Sequence, residues 1–249
     1  ENAKRLIKGE LDMGIVYGAH VFLSQKPEGP FKDGAKGTML RGVAKAYSGP
    51  TYFVTLPGNK IKKISDLSGK KVAMGPPGSG TVFNCTNMLK AAGNLNKIKA
   101  SYLTFADAGR ALANGQVDAI CQSSAPAAAV KELAETKGAL VIPFSDAELT
   151  KITMSGYSKG TMPAGTYKGV PAIDLPYLTV YWVAHERVSA KAVQDILNLV
   201  YQPDIRAKLA AGHKAWKQMA PDTKNFEALG VPMHPGAVAY YKSKGLYHK

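Results

Sequence analysis

Ile64-Ser65-Asp66-Leu67-Ser68-Gly69-Lys70-Lys71-Val72-Ala73-Met74-Gly75-Pro76-Pro77-Gly78-Ser79-Gly80-Thr81 is the most informative stretch of this 249-residue chain. Lys71 to Met74 is a short apolar run that reads as a buried strand, and it enters a turn at Gly75. A helix is expected over 81–92. The alternation continues on either side. A helical turn at Ala3 to Lys8, closed by Gly9, precedes a strand from Leu11 to Val16. Residues 25–37 read as loop from their Pro, Gly and Lys. Tyr52 to Leu56 is a strand stopped by Pro57 and Gly58. Further helices are expected at 106–114, 125–136, 146–155 and 189–199, the last extended by 203–211. Leu178 to Ala184 is an apolar strand with Pro171 and Pro176 at its entry. Strands alternating with helices of this length argue for an α/β fold with parallel sheets and helices on the faces.

The turn at Gly75-Pro76-Pro77-Gly78-Ser79-Gly80 begins like a phosphate-binding loop, which requires G-x-x-x-x-G-K-[ST]. Thr81 follows Gly80 at once, so the lysine is absent and no side chain reaches a β- or γ-phosphate. Nucleotide hydrolysis is not expected on that departure. What survives is backbone chemistry. Unpaired N–H groups and the positive end of a helix dipole, with the hydroxyls of Ser79 and Thr81, suit one carboxylate or one phosphate. The plainer reading is that the glycines permit a tight turn and Thr81 caps the helix. Three glycines and two hydroxyls exceed what a turn needs.

An internal echo supports two sections of similar construction. Lys8-Gly9-Glu10-Leu11-Asp12 precedes Met13-Gly14-Ile15-Val16, and Asn114-Gly115-Gln116-Val117-Asp118 precedes Ala119-Ile120-Cys121, 106 residues on. Both read helix, glycine cap, aliphatic, Asp, strand. Ligands in such sheets sit beyond the carboxyl ends of strands. That points to Tyr17-Gly18-Ala19 in one section and Gln122-Ser123-Ser124 in the other.

Composition narrows the classes. There are 32 Lys+Arg against 18 Asp+Glu, a net charge of +14, and hydrophobic residues make up 45%. No stretch approaches the roughly 20 apolar residues of a membrane span. The lysines are scattered, without the aromatic interleaving of nucleic-acid motifs, so a solvated basic surface is expected and no nucleic-acid partner. Two cysteines and five scattered histidines lack ligand spacing, so neither a metal nor a cofactor is expected. The first residue is Glu1 rather than Met, so removal of a signal peptide or trimming is expected.

The run Ile64 to Thr81 resembles the core signature of TAXI-type solute receptors of TRAP transporters. Met162-Pro163-Ala164-Gly165-Thr166-Tyr167, His234-Pro235-Gly236-Ala237 and the helix–Gly–Asp segments fall in that family's order. The resemblance implies a two-lobed periplasmic-binding-protein fold of type II-like build, each lobe a sheet flanked by helices, with two hinge crossings. It also implies that this chain lacks the family's opening strand, Gly-rich turn and helix. Lobe 1 would comprise 1–48 and 184–249, and lobe 2 would comprise 49–183. The implied function is an extracytoplasmic receptor that captures an organic anion or an amino acid such as glutamate. It would deliver the ligand to TRAP membrane permease subunits, act as a periplasmic monomer and have no catalytic residue.

Carried over residue by residue, Ser79, Gly80 and Thr81 would hold a ligand carboxylate. Asn84, one turn on, would reach the same anion or stay solvated. Ser123 and Ser124 face the cleft or cap a helix over Ala125 to Val130. Tyr17 would stack on or hydrogen-bond the ligand, and Tyr47 and Thr166 are weaker candidates. Cys85 and Cys121 would face the same side of one lobe; an extracytoplasmic location permits a disulfide whose geometry spacing does not give. Tyr181, Trp182 and Trp216 read as core, and His234-Pro235-Gly236 as a turn that ends the fold. An enzyme on the same fold, acting on a small anionic or phosphorylated substrate, is the alternative; the candidate segments hold no convergent His or carboxylate. Replacing Ser79 and Thr81 by alanine is expected to weaken anion binding and leave the stability of the empty protein unchanged.

Overall fold

A computed structural model describes residues 2–26, 31, 36–153, 157–212, 214–222, 226–227 and 229–247. Most of the expected loop at 25–37 and the end of the helix expected at 146–155 lie outside the described residues. In chain order the elements are α1 (Asn2–Ile7), β1 (Met13–Tyr17), α2 (Gly18–Gln25), β2 (Leu40–Thr55), β3 (Lys71–Ala73), α3 (Gly80–Ala91), β4 (Lys99–Ser101) and α4 (Phe105–Ala113). They continue with β5 (Ala119–Ser123), α5 (Ala128–Lys137), β6 (Leu140–Ile142), α6 (Asp146–Thr153), β7 (Ser158–Met162), β8 (Ile173–His185), α7 (Ala190–Val200), α8 (Pro203–Gly212) and α9 (Pro235–Ser243). The chain divides into two compact units. Unit 1 is Glu1–Ser48 with Thr179–Lys249, and unit 2 is Gly49–Leu178.

The echo noted in the sequence is one backbone device used once in each unit. Gly9 and Gly115 adopt φ of +71° and +70°, where only glycine sits without strain. Gly9 N–H donates to the Leu6 carbonyl and Glu10 N–H to that of Arg5, both at 2.9 Å. Gly115 N–H donates to Leu112 and Gln116 N–H to Ala111, at 3.2 and 2.8 Å. This closes α1 and α4 in the same way and aims the chain into β1 and β5. The aspartates then anchor the strand starts. Asp12 accepts from the Arg187 guanidinium at 2.8 Å, and Asp118 accepts from Lys71 N–H at 2.8 Å.

In unit 2, β3 pairs in parallel with β4 and with β5. The second half of β2 runs antiparallel to β5 and to β6. The sheet order is therefore β4-β3-β5-β2-β6. Val72, Ala73, Ile120, Cys121, Phe53 and Val54 are all at most 1% exposed. Strands buried on both faces need helices on both. Cys121 is bonded to Cys85 of α3, which fixes α3 on that face. Alternation sends Ile120 and Gln122 to the other. α4 and α5 meet where Gly109 faces Ala129; a Cβ at Gly109 would lie 3.0 Å from the Ala129 methyl. A hairpin of β7 with the first part of β8 completes the unit.

In unit 1, β8 lies between β1 and β2, with β1 antiparallel to it from Met13↔Ala184 to Tyr17↔Val180. One core cluster gathers Leu6, Val16, Val21, Leu40, Val183 and Phe226. A second gathers Val43, Val193, Leu197, Ala237 and Tyr241. The sequence reading of His234-Pro235-Gly236 as a terminating turn is corrected here: it starts α9. His234 Nδ1 accepts from Gly236 N–H at 3.1 Å, Pro235 occupies the first turn, and His234 Nε2 donates to Val188 O at 3.0 Å. Gly236 is needed for close approach, because a Cβ there would stand 2.2 Å from the Ala190 carbonyl oxygen.

Candidate functional site

The carboxyl edge of the unit 2 sheet is where β3, β4 and β5 end together. β3 leads through Met74 into Gly75, whose φ is +106°, and Gly78 turns the chain again at φ +71°. Ser79 is the N-cap of α3, its Oγ accepting from Val82 N–H at 3.3 Å. The N–H groups of Gly80 and Thr81 have no carbonyl one turn back, as at any helix start, and α3 is long enough for its dipole to count there. Thr81 is 5% exposed, and a Cβ at Gly75 would lie 3.1 Å from its methyl. Its side chain is thus packed beneath the turn, and its N–H is the group at the open end.

Asn84 is fully buried rather than solvated. Its Nδ2 donates to Ser123 Oγ at 3.4 Å, and its Oδ1 accepts from Tyr157 OH at 3.2 Å. Ser123 Oγ also meets Thr51 Oγ1 at 3.1 Å. Asn84 therefore joins the start of α3 to the end of β5, one residue before the Cys85–Cys121 bond does the same. The structure brings Ser79, Gly80, Thr81, Asn84 and Ser123 together.

Ser124 follows at φ +80°, an unfavourable backbone region for a serine. The helix-cap alternative for Ser123 and Ser124 is not realised: α5 starts at Ala128, and its N-cap is Ala127, without a side-chain cap. Instead a hydrogen-bond chain holds the turn. Ser124 N–H donates to Pro50 O at 2.7 Å. Ala127 N–H donates to Tyr167 OH at 2.7 Å, Tyr167 and Tyr52 share a 2.5 Å hydroxyl contact, and Tyr52 OH donates to Ser124 O at 3.3 Å. A carbonyl only accepts, so Tyr52 spends its hydrogen on Ser124 and Tyr167 donates to Tyr52. Burial holds both phenols above the usual tyrosine range, so both hydrogens are present at neutral pH. Tyr167→Phe would leave the Ala127 N–H without its acceptor. The expected cost is about 1–2 kcal/mol, read as a lower urea midpoint; an unchanged midpoint would mean that the hydroxyl is not what holds the turn.

Thr166 is used in its own turn: its hydroxyl donates to Pro163 O at 2.7 Å. Its neighbour Tyr167 is the residue that reaches the Ser124 turn. In unit 1, Tyr17 ends β1 directly ahead of α2. Burial first, and Tyr47 second, push its phenol up to about 12, so the two tyrosines are neighbours. Tyr47 is raised by burial and meets the Trp216 ring edge-on at 6.1 Å.

Several residues escaped the sequence reading. Tyr52 looked like ordinary strand. Gln122, at the edge to which the sequence pointed, is 2% exposed with its Nε2 unpartnered among the described residues, a burial the sequence did not give. Tyr102 and Phe105 flank the end of β4 at 54% and 40% exposure, on the same edge as the glycine turn. Two aromatics directly after a strand were the available clue. Among the described residues no group of three His, Cys, Asp or Glu is placed to hold a metal, and no helix is long and apolar enough to cross a membrane.

The fold these units build is that of periplasmic binding proteins. The periplasmic aliphatic sulphonate binding protein SsuA from Escherichia coli matches with a TM-score of 0.50 at 18% identity, over 96% of this chain and 67% of that one. SsuA from Xanthomonas axonopodis pv. citri, solved bound to MOPS, matches at 0.46 and 15% identity, over 100% and 80%. A putative L-cystine ABC transporter protein from Listeria monocytogenes matches at 0.44 and 15%, over 83% and 71%. The sequence matches the NMT1-like family over residues 1–245, and the chain belongs to that family.

Proposed function

We propose that this protein is an extracytoplasmic solute-binding receptor that captures a small organic anion and passes it to a membrane transporter. The observation that carries the reading is the glycine-rich turn at the carboxyl edge of unit 2. It combines the open N–H groups of Gly80 and Thr81, the α3 dipole and the capped Ser79, with Ser123 tied alongside through Asn84. An anion accepted there needs no side-chain cation, because backbone N–H groups and the dipole supply the complementary charge.

The finer reading is a TAXI-type receptor of a TRAP transporter with glutamate or a similar carboxylate as ligand, supported by the Ile64–Thr81 run. The solved proteins it resembles in fold are named as sulphonate-binding and ABC-transporter proteins, so sulfonates stand beside carboxylates as ligands to test. Tyr17 and Tyr47 in unit 1, and Ser124 and Thr166 in unit 2, complete the proposed ligand set. Closure of two lobes about the crossings at 48–49 and 178–179 is the proposed capture step.

A thermal-shift panel of glutamate, glutamine, 2-oxoglutarate, dicarboxylates, alkanesulfonates, inorganic phosphate and Mg-ATP tests this reading. A ligand at a hundred times its dissociation constant adds about 2.7 kcal/mol, a clear shift. A carboxylate or sulfonate hit supports the receptor; a shift with Mg-ATP alone overturns it. The site itself is tested by mutation, and here the structure revises the expectation for Ser79. Because Ser79 caps α3, Ser79→Ala costs about 1 kcal/mol of stability by itself. Ser79→Asp keeps a capping acceptor and places a negative charge where the ligand's would be. The expected outcome is near-native thermal stability with ligand binding reduced at least about tenfold by like-charge repulsion. Unchanged affinity would remove the glycine turn from the site.

A further inference from the structure

Residues 56–99 contain eight lysines and one aspartate, with no arginine or glutamate, a net +7. In a linear reading they look scattered. The fold gathers them at one place, the amino-terminal edge of the unit 2 sheet, opposite the glycine turn. Lys71 and Lys99 are register partners that open β3 and β4. Lys99 N–H donates to Lys70 O at 2.8 Å, and Lys97 O accepts from Gly69 N–H, which puts Lys70 and Lys97 beside them. Lys90 lies in the last turn of α3, which returns to this edge from the opposite one. Lys60, Lys62 and Lys63 lie on the segment between β2 and β3, which is fastened here by Asn59 to Asp118 O and by Asn94 to Ile64 O.

Like charges on neighbouring strands, about 4.8 Å apart, oppose folding. Asp66 and Asp118 offset them only in part. Among the described residues none of these eight lysines forms an ion pair. Asp66 has its carboxylate on the backbone N–H groups of Lys62 and Lys63, and Asp118 has its own on that of Lys71. Seven of the eight side chains are exposed, Lys70 being half-buried. Such a field, eight lysines against two nearby carboxylates, points to an anionic partner outside the chain.

We propose that this edge is a docking surface for an anionic lipid bilayer. Three observations favour a bilayer over other polyanions. Every cation is lysine, a compact charge without the planar fork that reads a nucleic acid or a carboxylate in register. The charges spread over strand ends and turns and carry no aromatic for base stacking; the exposed Tyr102 and Phe105 belong to the opposite edge. The same edge carries two exposed apolar groups, Leu140, 41% exposed and paired with Thr55 at the β6 end of the sheet, and Pro57 just beyond Thr55. Short apolar contacts beside a lysine cluster suit a headgroup layer. The proposal goes beyond the receptor reading and does not rest on it.

Co-sedimentation with phosphatidylglycerol–phosphatidylcholine vesicles, beside pure phosphatidylcholine vesicles, tests it. The chain is expected to bind only the anionic vesicles, and to be released between about 0.05 M and about 1 M salt as screening shortens the field. Each lysine near the surface contributes about fivefold in affinity, so Lys70→Glu with Lys71→Glu, Lys97→Glu and Lys99→Glu should lower it by more than about a hundredfold. A charge-matched control carries Lys4→Glu, Lys36→Glu, Lys217→Glu and Lys244→Glu in unit 1. Both variants are checked for native thermal unfolding, and the double variant Lys97→Glu/Lys99→Glu replaces the quadruple one if that fails to fold. Loss confined to the edge variant supports the proposal. Equal loss in both variants, absence of vesicle binding at low salt, or binding to an acidic polypeptide but not to vesicles overturns it.

Discussion

Replacing Cys85 and Cys121 together by alanine is expected to lower the unfolding free energy by up to about 4 kcal/mol. The bond joins residues 36 apart in sequence, from the second turn of α3 to the middle of β5. Closing a loop of that length removes chain entropy from the unfolded state, and the loss grows slowly with length. Urea unfolding of the double variant against the parent measures the change. A difference under about 1 kcal/mol would mean that the unfolded chain holds α3 near β5 without the bond. Cys85 and Cys121 are at most 1% exposed, so a thiol reductant acting on the folded protein should leave the bond intact. Reduction should become fast only in denaturant. Asn84 still ties α3 to Ser123 in the double variant, so ligand affinity should change far less than stability.

Acidification from about pH 6.5 to about pH 4 is expected to destabilise unit 1 by as much as about 3 kcal/mol through His20 alone. His20 lies on α2, its ring edge-on to Tyr17 at 5.9 Å and to Phe31 at 6.1 Å. Burial, with the charge of Lys4 adding to it, holds its pKa down to about 4 against an ordinary 6.5. The unfolded chain therefore takes up the proton first as pH falls. The stabilising contribution is complete above about pH 6.5, is lost across the window between the two values, and falls no further below about pH 4. The midpoint of urea unfolding against pH should be flatter in His20→Phe than in the parent. Part of the dependence should remain in that variant, since burial also lowers the pKa of His234. Parallel profiles for the two proteins would show that His20 is protonated in the folded state.

The parts legible in the sequence were those with local causes. The glycine turn after KVAM, the caps at Gly9 and Gly115, and the helices expected from 81, 106 and 189 depend on chemistry within a few residues, and α3, α4 and α7 start within one residue of those positions. What escaped depends on distant partners. β2 runs from Leu40 to Thr55, yet only its apolar end from Tyr52 reads as strand. Arg41, Lys45 and the Gly49-Pro50 pair mask the first part, which is held by β8 and by bridges from Gly42 to Met233 and Lys45 to Ala220. β7 is polar apart from the buried Met162 at its end and exists because β8 pairs with it. α5 starts at Ala128 rather than 125, since Ala127 is extended at ψ 135° and held there through its N–H by Tyr167, forty residues away.

Among the candidate residues, Ser79 was recognisable as a hydroxyl but not as the cap, which the sequence placed at Thr81 and the structure places two residues earlier; Asn84 was not recognisable as buried, since Tyr157 and Ser123 arrive from other segments. The lysines of 56–99 show the same limit in reverse. Seen along the chain they are ordinary solvated charges, and only the parallel pairing of β3 with β4 places them together.

The two crossings between units fall at Ser48–Gly49 and Leu178–Thr179. On the unit 1 side, Ser48 Oγ and Thr179 Oγ1 are 2.9 Å apart, and Gln218 grips Ser48 through both its N–H and its carbonyl. Unit 2 is thus a single uninterrupted insert whose two attachment points on the host nearly touch. A short linker from residue 48 to residue 179 should close unit 1 without it, and residues 49–178 can be transplanted as one cassette. A middle segment attached in this way can be exchanged while the helices of the host unit keep their own contacts.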